Sequence, residues 1–158
     1  MRLYAVSDLH LDYKINLEAL RELPCYPADW LILAGDTCTT PEQLKIAFEL
    51  LNAKFAKIIW VPGNHDLWSG MHGIHDHGAE KYLKMIELCH EYGVITPEDP
   101  YPIWQGEGGP HFLVPLFLLY DYSFRPPEIK REDAVDWAKE SGVICTDEYH
   151  LHYQPYSS

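Results

Sequence analysis

Three short apolar runs, each ending in groups that can hold a metal ion, constrain this chain more than any other feature. The runs are residues 3–6, 30–34 and 58–61, and they empty into Ser7-Asp8-Leu9-His10, Gly35-Asp36 and Pro62-Gly63-Asn64-His65-Asp66. Continuous apolar runs of this length read as strands covered on both faces. Helical stretches lie between them. Asn16 can cap a helix through Leu23, which Pro24 and Pro27 end. Thr40-Pro41-Glu42-Gln43 places a capping Thr before a Pro at the first helical position, with Gln three residues on, and Leu44, Ala47, Phe48 and Leu51 then share a face. A helix over residues 80–92, with Tyr82, Leu83, Ile86, Leu88 and Cys89 inward, stops at Gly93. The alternation predicts an α/β fold of parallel strands joined by right-handed crossovers. Sites in such sheets form at the carboxyl ends of the strands, where all three polar turns are expected to meet.

The chemistry of those turns is specific. Asp8 and His10, two apart on an extended exit, can project to one side. Gly35 lets the backbone turn sharply ahead of Asp36, and Asn64 offers a neutral oxygen. Carboxylate, imidazole and amide oxygen together suit Zn, Mn or Fe. Each motif alone is common in surface loops; their order, each closing its own strand, is what departs from chance.

On these motifs the sequence resembles the calcineurin-like metallophosphoesterase superfamily, firmly over about residues 1–66 and by texture beyond. The resemblance implies a four-layer α/β/β/α sandwich with two divalent metal ions (Mn, Fe or Zn) at the sheet edge, hydrolysing phosphate mono- or diesters. It implies that Asp8 and His10 hold the first metal, that Asp36 bridges both, and that Asn64 holds the second. His65 would be a catalytic histidine that binds no metal, meeting the substrate beside Asn64, and Asp66 would orient it. Two close cations repel, which a bridging carboxylate offsets, and together they stabilise the oxygens of a phosphoryl transfer.

The chain departs from the family pattern in two places. Gly35-Asp36-Thr37-Cys38-Thr39-Thr40 lacks the second acid of Gly-Asp-x-x-Asp, and no Gly-His-x-His follows. His150-Leu151-His152 has the spacing but neither the Gly nor a preceding strand, and reads as a loop pair. His111 precedes a strand instead of ending one. Residues 1–158 are therefore expected to form a single domain, a partial sandwich truncated at the C-terminus, with the second metal incompletely coordinated and turnover impaired. The alternative is a non-catalytic or degenerate family member, acting as a metal-binding or protein-interaction module.

The remaining features are bounded by composition. His72, His75 and His77 read as a solvated loop beside the site, with substrate or adventitious metal contact as the alternative; Trp68 either walls the pocket or packs, and Arg125 reads as an exposed loop residue, with reach to a phosphate as its alternative. A net charge of −12 excludes a nucleic-acid scaffold, yet allows a small phosphorylated substrate because bound cations reverse the local potential. No apolar run reaches the roughly 18 residues of a membrane span. The N-terminus turns polar too soon for a signal peptide, so the expected location is the cytoplasm. Cys25, Cys38, Cys89 and Cys145 read as free thiols. After Pro97, residues 103–104, 112–114 and 116–120 read as antiparallel strands of a far layer, residues 131–141 as a last helix stopped by Gly142, and the tail shows no periodicity.

Overall fold

The computed structural model describes residues 1–70, 76–118 and 120–151. Strands β1 (Leu3–Val6), β2 (Tyr26–Ala34) and β3 (Phe55–Val61) form a parallel sheet in that spatial order. Val6 pairs with Leu33, and Ala34 with Val61, so the three strands leave the sheet almost level with one another. That register brings the three polar turns to one edge. Ile58, Ile59 and Trp60 are successive and all buried, so β3 is covered on both faces. Beyond it, Ile95 extends the sheet: the Trp60 N–H donates to the Ile95 carbonyl and the Ile95 N–H to that of Ile58. β1 differs from expectation. It is an edge strand with Ala5 exposed and no residue fully buried, because β2 alone pairs with it among the described residues.

Helix α1 spans Lys14–Glu22 and starts two residues earlier than its expected cap. Asn16 lies inside it, and its amide donates to the carbonyls of Leu9 (2.8 Å) and His10 (3.3 Å), tying the β1 exit loop to the helix. Helix α2 (Pro41–Asn52) begins as its sequence requires. Thr40 Oγ1 accepts from the Gln43 N–H at 3.2 Å, and Gln43 Oε1 accepts from the Thr40 N–H at 3.1 Å. Leu44, Ala47, Phe48 and Leu51 are fully buried in one core with Leu31, Leu33, Ile58 and Trp60. Each large side chain there contributes about 1.5–3 kcal/mol by leaving water.

Asn64–Leu67 forms a single turn, α3, and Gly78–Glu91 forms α4. α4 buries Tyr82, Met85, Ile86 and Cys89, the helical spacing of one stripe. Leu83, expected inward, is exposed. Lys81 goes inward instead, because its ammonium has partners there: it donates to the carbonyls of Thr39 (3.1 Å) and Trp68.

The second half is less regular than expected. β4 (Ile103–Gly106) and β5 (Gly109–Phe112) form an antiparallel hairpin that pairs only with itself among the described residues. The run 116–120 is no strand where it is described, and Leu116 and Leu118 are exposed. Pro115, without an N–H, breaks the ladder at its start. A 3-10 turn at Arg131–Asp133 leads into α5 (Ala134–Glu140), and a short helix, α6 (Asp147–His150), forms in the tail that showed no periodicity. All four cysteines are free thiols. Among the described residues, no helix is long and apolar enough to cross a membrane.

Candidate metal centre

The centre starts as backbone. Past the end of β1 the chain continues to pair with the exit of β2: Asp8 N–H to Gly35 O (3.1 Å), His10 N–H to Asp36 O (3.0 Å) and Leu11 N–H to Thr37 O (3.1 Å). Along this pairing Asp8, His10 and Asp36 take φ of 58°, 41° and 53°. Among the described residues only one other non-glycine residue, Tyr122, has a positive φ. The left-handed region costs a side-chain-bearing residue on the order of 1 kcal/mol, so three such residues together mark a geometry held by its surroundings.

Two glycines let the neighbouring exit close in. A Cβ on Gly35 would lie 3.1 Å from Gly63 Cα, and one on Gly63 would lie 2.1 Å from Asp36 Oδ1 and 2.6 Å from Asp36 N. The buried Asp66 then joins the two exits. Its Oδ1 accepts from the Thr37 and Cys38 N–H groups (both 3.1 Å), and its Oδ2 from the Gly63 N–H (2.8 Å). Burial pushes the Asp66 carboxyl up to about 7, against the opposite pull of those donors. The expected role of Asp66 as orienter of His65 does not match this geometry, because its described hydrogen bonds all go to backbone amides.

His65 is oriented by other means. Its N–H donates to Asp36 Oδ1 at 3.0 Å. Its ring stacks on Trp68, centroids 3.6 Å apart at 28°, and meets the His10 ring edge-on at 4.6 Å. Trp68 is thus a wall of the site. Burial holds the His65 imidazole below its usual range, more than the Asp36 carboxylate offsets.

Ligand atoms of His10, Asp36 and His65 all lie within 4.8 Å of one another. His10 Nε2 is 3.8 Å from Asp8 Oδ1 and 4.0 Å from Asp36 Oδ2. Hard carboxylate oxygen beside imidazole nitrogen fits Mn²⁺, Zn²⁺ or Fe. The structure therefore brings Asp8, His10, Asp36 and His65 together, and His65, read from sequence as no ligand, turns a ring nitrogen into the same cluster. Asn64 enters differently: its Nδ2 donates to both oxygens of Asp147, at 2.9 and 3.2 Å. Asp147 was missed in the sequence. It stands beside Glu148 in an aperiodic tail, 83 residues from Asn64 in the chain, and no spacing signal marks it.

The other singled-out residues stay apart from this cluster. His111 is exposed and its Nδ1 contacts the Gly109 carbonyl of its own hairpin (2.9 Å). The His150 carbonyl accepts from the Ser69 N–H and hydroxyl, and its ring lies 5.2 Å from that of Trp68. Arg125 donates to the Tyr122 and Ile129 carbonyls, clasping its own loop. His77 precedes α4 as its N-cap. His72, His75 and His152 lie outside the described residues.

The chain is similar to known proteins in sequence and in fold. The sequence model of the family described as calcineurin-like phosphoesterase matches residues 1–149. The [acyl-carrier-protein] phosphodiesterase PptH of Mycobacterium tuberculosis is 43% identical over 157 residues, 98% of this chain and 48% of that protein. The crystal structure of phosphopantetheinyl hydrolase (PptH) from Mycobacterium tuberculosis is similar with a TM-score of 0.91 at 42% identity, covering 99% of this chain and 56% of that one. The chain thus spans about half the length of these relatives. By its motifs, its fold and these matches, the chain belongs to the calcineurin-like phosphoesterase family.

Proposed function

We propose that this chain supplies Asp8, His10, Asp36 and Asn64 to a two-cation centre that hydrolyses phosphodiesters. The observation that carries the reading is the strained backbone at Asp8, His10 and Asp36, since strain of this kind persists where a geometry serves chemistry. Divalent cations bound there would supply Lewis-acid charge for the phosphoryl oxygens. Asp8, His10 and Asp36 would hold the first, and Asp36 with Asn64 the second. The second position draws on fewer side chains among the described residues, so it binds more weakly and turnover by residues 1–158 is slow. His65, fixed between Trp68 and His10, would stand beside a phosphoryl group held by those cations, where it could stabilise the oxygens or protonate the leaving oxygen. The similarity to an acyl-carrier-protein phosphodiesterase makes a phosphodiester on a carrier protein the first substrate class to test.

The test is hydrolysis of an aryl phosphodiester and of a phosphopantetheinylated carrier protein, with Mn²⁺ and after chelation. Hydrolysis is expected only with metal. Asp36→Ala should abolish both metal binding and turnover. His65→Ala should lower the rate and leave Mn²⁺ affinity in place; a matching loss of affinity would make His65 a ligand instead. Hydrolysis that survives chelation would overturn the proposal.

A further inference from the structure

Asp147 has no place in the roles above, yet it is buried against the centre. It sits at the start of α6 and gathers three donors from two separate parts of the chain, the α3 turn with its C-cap and the segment at Tyr120. Asn64 Nδ2 donates to both its oxygens, Trp68 Nε1 donates to Oδ1 at 2.5 Å, and the Tyr120 hydroxyl donates to Oδ2 at 2.5 Å. The indole N–H can only donate, so its partner must accept. An ionised carboxylate only accepts, whereas the side-chain amide of Asn64 can turn either its NH₂ or its oxygen to a partner.

We propose that Asp147 is a positioning residue of the metal centre: by accepting only, it fixes the Asn64 amide with NH₂ toward α6 and Oδ1 away, free for a cation. The same carboxylate holds the indole on which the His65 ring stacks. One side chain thereby sets both the ligand face of Asn64 and the plane of His65. The usual partner of a metal-bound residue plays this part, and losing it costs about 10–100-fold in affinity. The inference rests on Asn64 being a ligand of the proposed centre.

Asp147→Asn tests it, because an amide of the same shape accepts and donates and so no longer dictates which end of Asn64 faces it. Mn²⁺ titration, followed by electron paramagnetic resonance, should resolve a tighter and a weaker site in the wild type. Asp147→Asn should weaken the weaker site about tenfold and change the tighter one less than twofold. In an Asn64→Ala background the substitution should have no further effect, since the residue it acts through is gone. A merely structural Asp147 would weaken both sites, or its loss would add in full to that of Asn64→Ala; either result overturns the proposal. Unchanged affinities in Asp147→Asn, with wild-type binding still abolished by Asp36→Ala, would also overturn it and leave the metal centre standing. Wild-type Mn²⁺ binding that ignores Asp36→Ala would remove both. A readout independent of metal and of any variant is the side-chain NH₂ of Asn64 by NMR. In metal-free wild type its protons should exchange slowly with water, and exchange at the rate of a free amide would overturn the proposal.

Discussion

Gly63→Ala applies the sharpest test to the way the centre is built. The new methyl would begin 2.1 Å from Asp36 Oδ1 and 2.6 Å from Asp36 N, where ordinary contact begins at 3.4 Å. The carboxylate would have to move by more than 1 Å. Rotating it away does not relieve the contact with the backbone nitrogen, so the β2 exit must move as well. That movement breaks the hydrogen bond from the His65 N–H, worth about 1.5–3 kcal/mol to a charged acceptor. Overpacking of this kind adds about 1–3 kcal/mol. The expected loss of stability is thus roughly 2.5–6 kcal/mol. Ligand oxygens sit about 2.0–2.2 Å from a cation, so a displacement of that size removes Asp36 from any metal. Urea unfolding in chelator reads the first effect and Mn²⁺ titration the second. Gly93→Ala is the control: its φ is +68° and a Cβ there meets nothing within 4 Å, so it should cost about 1 kcal/mol of backbone strain and leave Mn²⁺ affinity unchanged. A Gly63→Ala protein that unfolds and binds Mn²⁺ like the wild type would refute the close approach of the two exits.

Three further outcomes follow from the packing. Asp66→Asn turns an NH₂ toward one or more of the three backbone donors, and should cost about 1–3 kcal/mol in urea unfolding by leaving them poorly paired. Burial lowers the Lys81 ammonium to about 8, so its contribution to stability is present above its ordinary value near 10.5 and is lost as pH falls through about 8. The stability of the wild type relative to Lys81→Met should therefore rise between pH 8 and 10.5 by roughly 1 kcal/mol per pH unit, and a flat difference would contradict the buried ammonium. Phe48→Ala should destabilise by about 3–5 kcal/mol with no metal present, since Phe48 is fully buried in the face of α2 that packs on the sheet.

The parts of this molecule that were legible in its sequence are those where local chemistry and fold agree. The capping box at Thr40 and Gln43, the α2 stripe and the stop at Gly93 all form as their residues require. The convergence of the three turns follows from parallel strands leaving one edge, which periodicity alone supports. What escaped depends on long-range partners. Lys81 is buried because two distant carbonyls receive it, and Leu83 is displaced outward on the same helix. Asp66 looked like a partner for the imidazole beside it, but the folded chain offers it three amides from two turns. Asp147 meets Asn64 only through a fold that brings α6 back to the sheet edge. The run 116–120 has strand composition, but Pro115 and the absence of a neighbouring strand among the described residues leave its described residues outside any sheet.

The central claim is that Asp8, His10 and Asp36 form one metal-holding geometry at the carboxyl edge of the sheet. The direct measurement is anomalous scattering from crystals of the chain equilibrated with Mn²⁺. The strongest anomalous peak is expected within about 2.0–2.3 Å of an Asp36 carboxylate oxygen and a His10 ring nitrogen, and absent from Asp36→Ala crystals. A strongest peak elsewhere, or no peak against Asp36 at saturating Mn²⁺, would contradict the claim.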